Sequence, residues 1–218
     1  MLNNKPTAII FDLDGTIVDS RAIILQCLKH TANGVYGHDH SDEKLLAEVG
    51  IPLIQEMQTL VPEDPYNAVQ VYRNFYHSLE HKEPPAFPGM QELIASLHES
   101  GLPLGIATSK LREGMESDLA YNQLIDMFDC LIAADDVVNP KPNPEPLLTV
   151  AAQLGVNPSE CWYVGDSTFD MIAAQRAGMK AVAVLWGNMF SQQDLADAGA
   201  QAFLSTVQDF IDLVKSWE

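Results

Sequence analysis

Positive charge is scarce in this chain. Twelve Lys and Arg stand against 30 Asp and Glu, for a formal net charge of −18. That shortage excludes broad binding to nucleic acid or to an anionic membrane, both of which need basic patches. It also means that an anionic ligand must be met by a local cation or a metal. Cysteine is sparse as well: Cys27, Cys130 and Cys161 are odd in number and far apart, with no CxxC pair. A disulfide framework and a thiolate metal cluster are excluded, and the thiols read as reduced and buried. Long apolar runs are missing. No stretch approaches the ~20 residues of a membrane span. The segment Met1-Leu2-Asn3-Asn4-Lys5-Pro6 carries no signal-peptide core, because Ala8-Ile9-Ile10-Phe11 runs straight into acids. The chain is therefore expected to be cytoplasmic. Internal repeats and low-complexity tracts are also absent.

The 218 residues are 47% apolar, which suffices for one core domain with a modest insert. Thr7 to Phe11 reads as a buried strand stopped at Asp12. A helix is expected from Ser20, capped by that hydroxyl, with Ile23, Ile24, Cys27 and Leu28 on one face and fraying by Asn33-Gly34. Residues 41–82 show only helical periodicity. Their stripes are Leu45, Leu46 and Val49; Leu53, Met57, Leu60 and Val61; and Val69, Tyr72, Tyr76 and Leu79. The block closes at the stiff linker Glu83-Pro84-Pro85-Ala86-Phe87-Pro88-Gly89. From there helices and short apolar strands alternate, with strands expected at 102–107, 130–134, 161–164 and 181–185. The last helix is marked by Val207, Phe210, Ile211 and Val214.

Such alternation predicts an α/β fold: a Rossmann-like parallel sheet with helices on both faces, plus a small all-helical domain inserted after the first strand. The expected division is a core of residues 1–18 and 85–218 and a helical cap of 19–84. Ligands of such sheets bind beyond the carboxyl ends of the strands. There the sequence delivers Asp12, Asp14 and Thr16 from the first strand and Thr108, Ser109 and Lys110 from the second. Lys141 follows the third, and Asp166 follows the fourth with Asp170 one turn later. Singly, each has an ordinary role as a turn acid, an N-cap or a loop lysine. Four strand ends with compatible groups point instead to phosphoryl transfer. Asp12 is the candidate nucleophile. Mg²⁺, bound by Asp12, the backbone carbonyl of Asp14 and Asp166, would neutralise the approach to phosphate. Lys141, Thr108 and Ser109 are the candidate phosphate ligands. Asp14 is the candidate acid and base, and Asp170 supports the shell by orienting Lys141 or a metal-bound water.

These residues resemble the motifs of the haloacid dehalogenase-like hydrolase superfamily: Phe11-Asp12-Leu13-Asp14-Gly15-Thr16, Thr108 in Gly105-Ile106-Ala107-Thr108-Ser109, Lys141 in Lys141-Pro142-Asn143-Pro144-Glu145-Pro146, and Gly165-Asp166-Ser167-Thr168-Phe169-Asp170. All four occur in order, and the helical block falls where one subgroup carries a helical cap. Within the superfamily the chain is most similar to the phosphoglycolate phosphatase group. The resemblance implies Mg²⁺-dependent hydrolysis of a small phosphorylated metabolite through a phospho-aspartate. An inorganic pyrophosphatase and a phosphosugar mutase are the alternatives on this scaffold. A receiver-like phospho-aspartate signalling module is the alternative of another class, and Asp14 and the helical insert count against it. Neither a monomer nor a homodimer is selected.

Specificity is expected to lie in the cap. Gly50-Ile51-Pro52-Leu53 reads either as a loop facing the site or as an ordinary helix start. Arg21, Lys44, Arg73 and Arg112 are candidate anchors for a second anionic group. His38 and His40 read as solvent-exposed rather than as metal ligands. Tyr72, Phe75 and Tyr76 read as cap core, and Asp126, Asp129, Asp135 and Asp136 as solvated surface.

Overall fold

A computed structural model describes residues 5–80 and 82–217. The reading of Met1 to Asn4 and the place of His81 in the helical block lie outside those residues. Six parallel strands form one sheet in the order β3-β2-β1-β4-β5-β6. They are β1 (Ala8–Phe11), β2 (Leu104–Ala107), β3 (Cys130–Ile132), β4 (Cys161–Gly165), β5 (Lys180–Val184) and β6 (Ala202–Leu204). Each is short and apolar, as strands covered on both faces must be. Ile9 and Phe11 point into one layer, packed on α5 (Met90–Glu99), α6 (Arg112–Tyr121) and α10 (Val207–Lys215). Ala8 and Ile10 point into the other, against α7 (Glu145–Leu154), α8 (Thr168–Ala177) and α9 (Gln192–Asp197). The strand order reverses direction between β1 and β4, the switch point at which sheets of this kind bind ligands.

Between β1 and α5 lies a helical unit: α1 (Arg21–Leu28), α2 (Asp42–Leu46), α3 (Leu53–Leu60) and α4 (Pro65–Ser78). Leu28, Leu45, Met57 and Leu60 are fully shielded in a cluster of its own, separate from the two sheet layers. The first two stripes read from the sequence meet there, with Val69 and Tyr72 of the third but not Tyr76 or Leu79.

Several expectations are corrected. Ser20 occupies the N-cap position of α1, but its hydroxyl makes no cap bond and is buried without a partner. The helix does not fray at Asn33-Gly34. It continues as a π-helical stretch over Lys29–Val35, held by His30 stacked on Phe75 at 3.8 Å and by Asn33, whose amide oxygen accepts from His40 N and whose amide nitrogen donates to His40 O. Tertiary contacts there override local breakers. The second strand begins at Leu104 rather than Leu102, and the third ends at Ile132, before a 3₁₀ turn over Ala134–Asp136. β6 and α9 were not anticipated. β6 has three residues and no legible alternation, whereas α9 had a readable signal in the Ser191 and Asp194 capping box. All three cysteines are free and buried. Among the described residues, no helix is long and apolar enough to cross a membrane.

Candidate active site

Strand register builds the site. Phe11 lies opposite Ile106 of β2 and Val164 of β4, so Asp12 emerges between Ala107-Thr108 on one side and Gly165-Asp166 on the other. Its N–H donates to Val164 O at 2.9 Å. The chain then turns at Gly15, where φ is +72° and a Cβ would collide with Asp166 Oδ2. Thr16 is buried and donates to Asp166 Oδ1 at 3.4 Å.

Lys141 is fully buried. Its Nζ lies 2.9 Å from Asp12 Oδ1 and donates to Asp170 Oδ1 at 2.7 Å and to the Tyr163 hydroxyl at 3.1 Å. Tyr163 in turn donates to Ala107 O at 2.7 Å. Asp170 spends its other oxygen on α8: Oδ2 accepts from Ser167 N and Oγ while Ser167 Oγ accepts from Asp170 N, a complete capping box. Of the two roles expected for Asp170, orienting Lys141 is the one the contacts display.

The electrostatics favour a cation. Burial pushes the Asp12 carboxyl up to about 7, opposed by Lys141 and assisted by Asp170 and Asp14. Asp166 is driven well above the usual carboxylate range by burial and then by repulsion from Asp170 and Asp12. Burial works against charge on Lys141, yet Asp12 and Asp170 hold it above its ordinary value. Asp12, Asp166 and Asp170 offer oxygens within 4.8 Å of one another, and Asp12 Oδ1 is buried against the Lys141 ammonium. One ammonium does not balance these acids. Buried carboxylates with oxygens this close together and one ammonium among them fit a hard divalent ion.

A cavity of about 730 Å³ opens between this rim and the helical unit. Asp12, Asp14, Thr108, Ser109 and Asp166 line its floor, with Ile23, Ile54, Glu56, Tyr72 and Arg73 on the helical side. Gly50 to Leu53 face the cavity as well, and Pro52-Leu53 also begin α3, so the segment is both a loop over the site and a helix start. Gly50 has φ +112°, and a Cβ there would lie 2.8 Å from Ser167 Oγ. Ser109 donates its hydroxyl to Gly50 O at 2.7 Å, so the group expected on substrate phosphate is occupied in tying loop to sheet. Thr108 is buried at the floor, its Oγ1 accepting from Lys110 N at 3.3 Å. Asp14 pairs with Lys110 Nζ at 3.0 Å.

Other expectations are revised. Tyr72 and Tyr76 line the cavity rather than serving only as helical core, while Phe75 packs on His30. Of the four cationic anchors, Arg73 alone lines the cavity. Arg112 is held by Glu116 and Asp136, and Arg21 donates to Asn188 O; Lys44 lies exposed on α2. His38 and His40 are half-buried and stacked, bonded to Glu63 and to Leu60 O. Asp129, Asp135 and Asp136 are not idle surface: they accept from Leu104 N, Arg112 N and Ala133 N. Sequence reasoning missed Tyr163, Asp118 and Glu56 as site residues, and placed Lys110 at the rim without a role. Tyr163 had a signal, a polar tip in an otherwise apolar strand.

Comparison with known proteins agrees with this geometry. Residues 9–184 match the family model described as haloacid dehalogenase-like hydrolase. A protein of Anoxybacillus flavithermus named pyrophosphatase PpaX is 32% identical over 206 residues, covering 94% of this chain and 95% of that one. Among solved structures, one assigned to the haloacid dehalogenase-like hydrolases from Bacteroides fragilis superposes with a TM-score of 0.85 at 27% identity, covering 93% of this chain and 98% of the other. A second, assigned as a phosphoglycolate phosphatase from Lactobacillus plantarum, superposes at 0.82 with 25% identity, covering 96% and 100%.

Proposed function

We propose that this chain, which belongs to the haloacid dehalogenase-like hydrolase family, is a Mg²⁺-dependent phosphatase acting on phosphate monoesters of small metabolites through a phospho-Asp12 intermediate. The observation that carries this reading is the convergence of Asp12, Asp14, Thr108 and Asp166 on the floor of one cavity, with Lys141 buried directly against Asp12. In this reading residues 19–84 are the cap and the rest the catalytic core. Asp12, the Asp14 backbone carbonyl and Asp166 would hold Mg²⁺, which when bound supplies charge neutralisation between carboxylate and phosphate.

The residues divide the work. Lys141, locked by Asp170 and Tyr163, keeps Asp12 oriented and meets phosphoryl oxygens with a fixed charge. Thr108 offers a hydroxyl at the floor. Asp12 attacks phosphorus, and the P–O bond to the leaving group breaks as Asp14 gives that oxygen a proton. Asp14 then takes a proton from water, whose oxygen attacks phosphorus and releases phosphate from Asp12.

The relatives' names raise a second reading, pyrophosphate hydrolysis. Cavity size and the apolar side chains Ile23, Ile54 and Tyr72 support an organic leaving group instead, since pyrophosphate has no apolar surface to bury. Phosphate release from a panel of monoesters and pyrophosphate, with Mg²⁺ and with EDTA, tests both. Release from monoesters that EDTA abolishes is expected. Pyrophosphate as the sole substrate would overturn the first reading, and isomerisation of a sugar phosphate without net phosphate release would indicate a mutase.

A further inference from the structure

Beside the phosphorus site lies a second charged cluster that the chemistry above leaves unexplained. Lys110 follows β2 and is largely buried, with 17% of its side chain exposed. Its Nζ sits 3.0 Å from Asp14 Oδ1 and 2.5 Å from Asp118 Oδ2. Asp118, on α6, is completely shielded from solvent. Burying three charged groups is costly unless they pair, and among the described residues this trio makes no hydrogen bond or ion pair to Asp12, Asp166 or Lys141.

Helix α6 is shaped to seat it. Gly114, one turn before Asp118, lies against the lysine stem: a Cβ there would be 3.1 Å from Lys110 Cε and 3.3 Å from its Cγ. Glycine weakens a helix relative to alanine, and at this position it leaves the room the stem uses. Gly114 and Asp118, four residues apart, share one face of α6, so one supplies space and the other supplies charge. Asp14 and Asp118 flank the single ammonium of Lys110 from two elements.

We propose that Lys110, anchored by Asp118 and accommodated by Gly114, is a positioning residue that presents the Asp14 carboxyl to the leaving-group oxygen. The inference rests on the phosphatase reading and adds to it a device for aiming the acid. It is not a phosphate ligand: both of its ionic partners are protein carboxylates.

Leaving-group dependence tests it. A well-aimed acid makes the rate nearly insensitive to the basicity of the departing oxygen, whereas a misaimed one penalises alkoxides far more than phenolates. The wild type, Lys110→Met and Asp118→Asn are compared with Mg²⁺ on alkyl phosphates and on p-nitrophenyl phosphate, following kcat and KM. Lys110→Met is expected to lower kcat/KM about 100-fold for alkyl esters and less than about 10-fold for p-nitrophenyl phosphate, the loss lying in kcat. Asp118→Asn keeps the lysine and the shape of the site, and is expected to show the same steepening to a smaller degree. It carries the test if Lys110→Met fails to fold. Equal losses on every ester, a loss confined to KM, or no loss would overturn the inference while leaving the phosphatase reading intact. A wild type inactive on every ester would overturn both.

Discussion

At the scale of single residues, the site depends on charges that water does not screen. Asp12 is the group on which phosphorus would be carried. Asp12→Asn is therefore expected to reduce turnover more than about 10³-fold with the fold retained, by circular dichroism and an activity assay. Normal phosphatase activity in that variant would remove Asp12 from the nucleophile role. Lys141 is the shared counter-charge of Asp12 and Asp170. Lys141→Met leaves the two carboxylates facing each other in the interior, and should destabilise the metal-free protein by about 3–5 kcal/mol in urea titrations. Protonation relieves that repulsion, so the deficit should be larger at pH 8 than at pH 5. An equal deficit at both would mean that the ion pair contributes nothing beyond packing. The motif residues at 12, 108, 141 and 166 were legible in the sequence because each follows directly on an apolar strand or its loop. Asp118 was not, because its role depends on what lies beneath α6, and the polar tip of Tyr163 was visible without the partners across the sheet that give it a role.

At the scale of elements, function turns on how the helical unit meets the sheet. The contact between Ser109 and Gly50 joins residues 59 apart in sequence with a single 2.7 Å bond. Ser109→Ala should loosen the loop over the site and raise KM by a factor of up to about 10, the range of one net hydrogen bond. Steady-state kinetics on the best ester would measure it. A fall in kcat with KM unchanged would instead return Ser109 to the phosphate itself. The helical stripes of residues 41–82 were readable because amphipathic periodicity survives in any tertiary context. The π-helical extension of α1 was not, since it is imposed by Phe75 and His40 from other parts of the unit.

At the scale of the whole molecule, the acidic rim makes stability depend on pH and on metal. Asp12 has a folded-state pKa of about 7, above the ordinary carboxylate value. Between those values the native state holds a proton that the unfolded chain has released, so stability from this group declines as pH rises through that window. Asp166 shifts in the same direction. Added Mg²⁺ competes for the ionised carboxylates and should raise Tm more at pH 8 than at pH 5, with about 2.7 kcal/mol of stabilisation at 100 times the Kd. Scanning calorimetry with and without EDTA reads this directly, and a Tm indifferent to Mg²⁺ at pH 8 would contradict the assigned metal site. The sequence by itself determined the strand and helix alternation, the helical insert, and which acids and lysine stand at strand ends, because periodicity and strand termination are local. Only the tertiary structure decided that Lys141 is buried between two carboxylates, that Ser109 grips the loop at Gly50 and that Lys110 reaches Asp14. Those depend on parallel register and on which helix faces pack together, interactions between segments whose separation along the chain carries no trace of their distance in space.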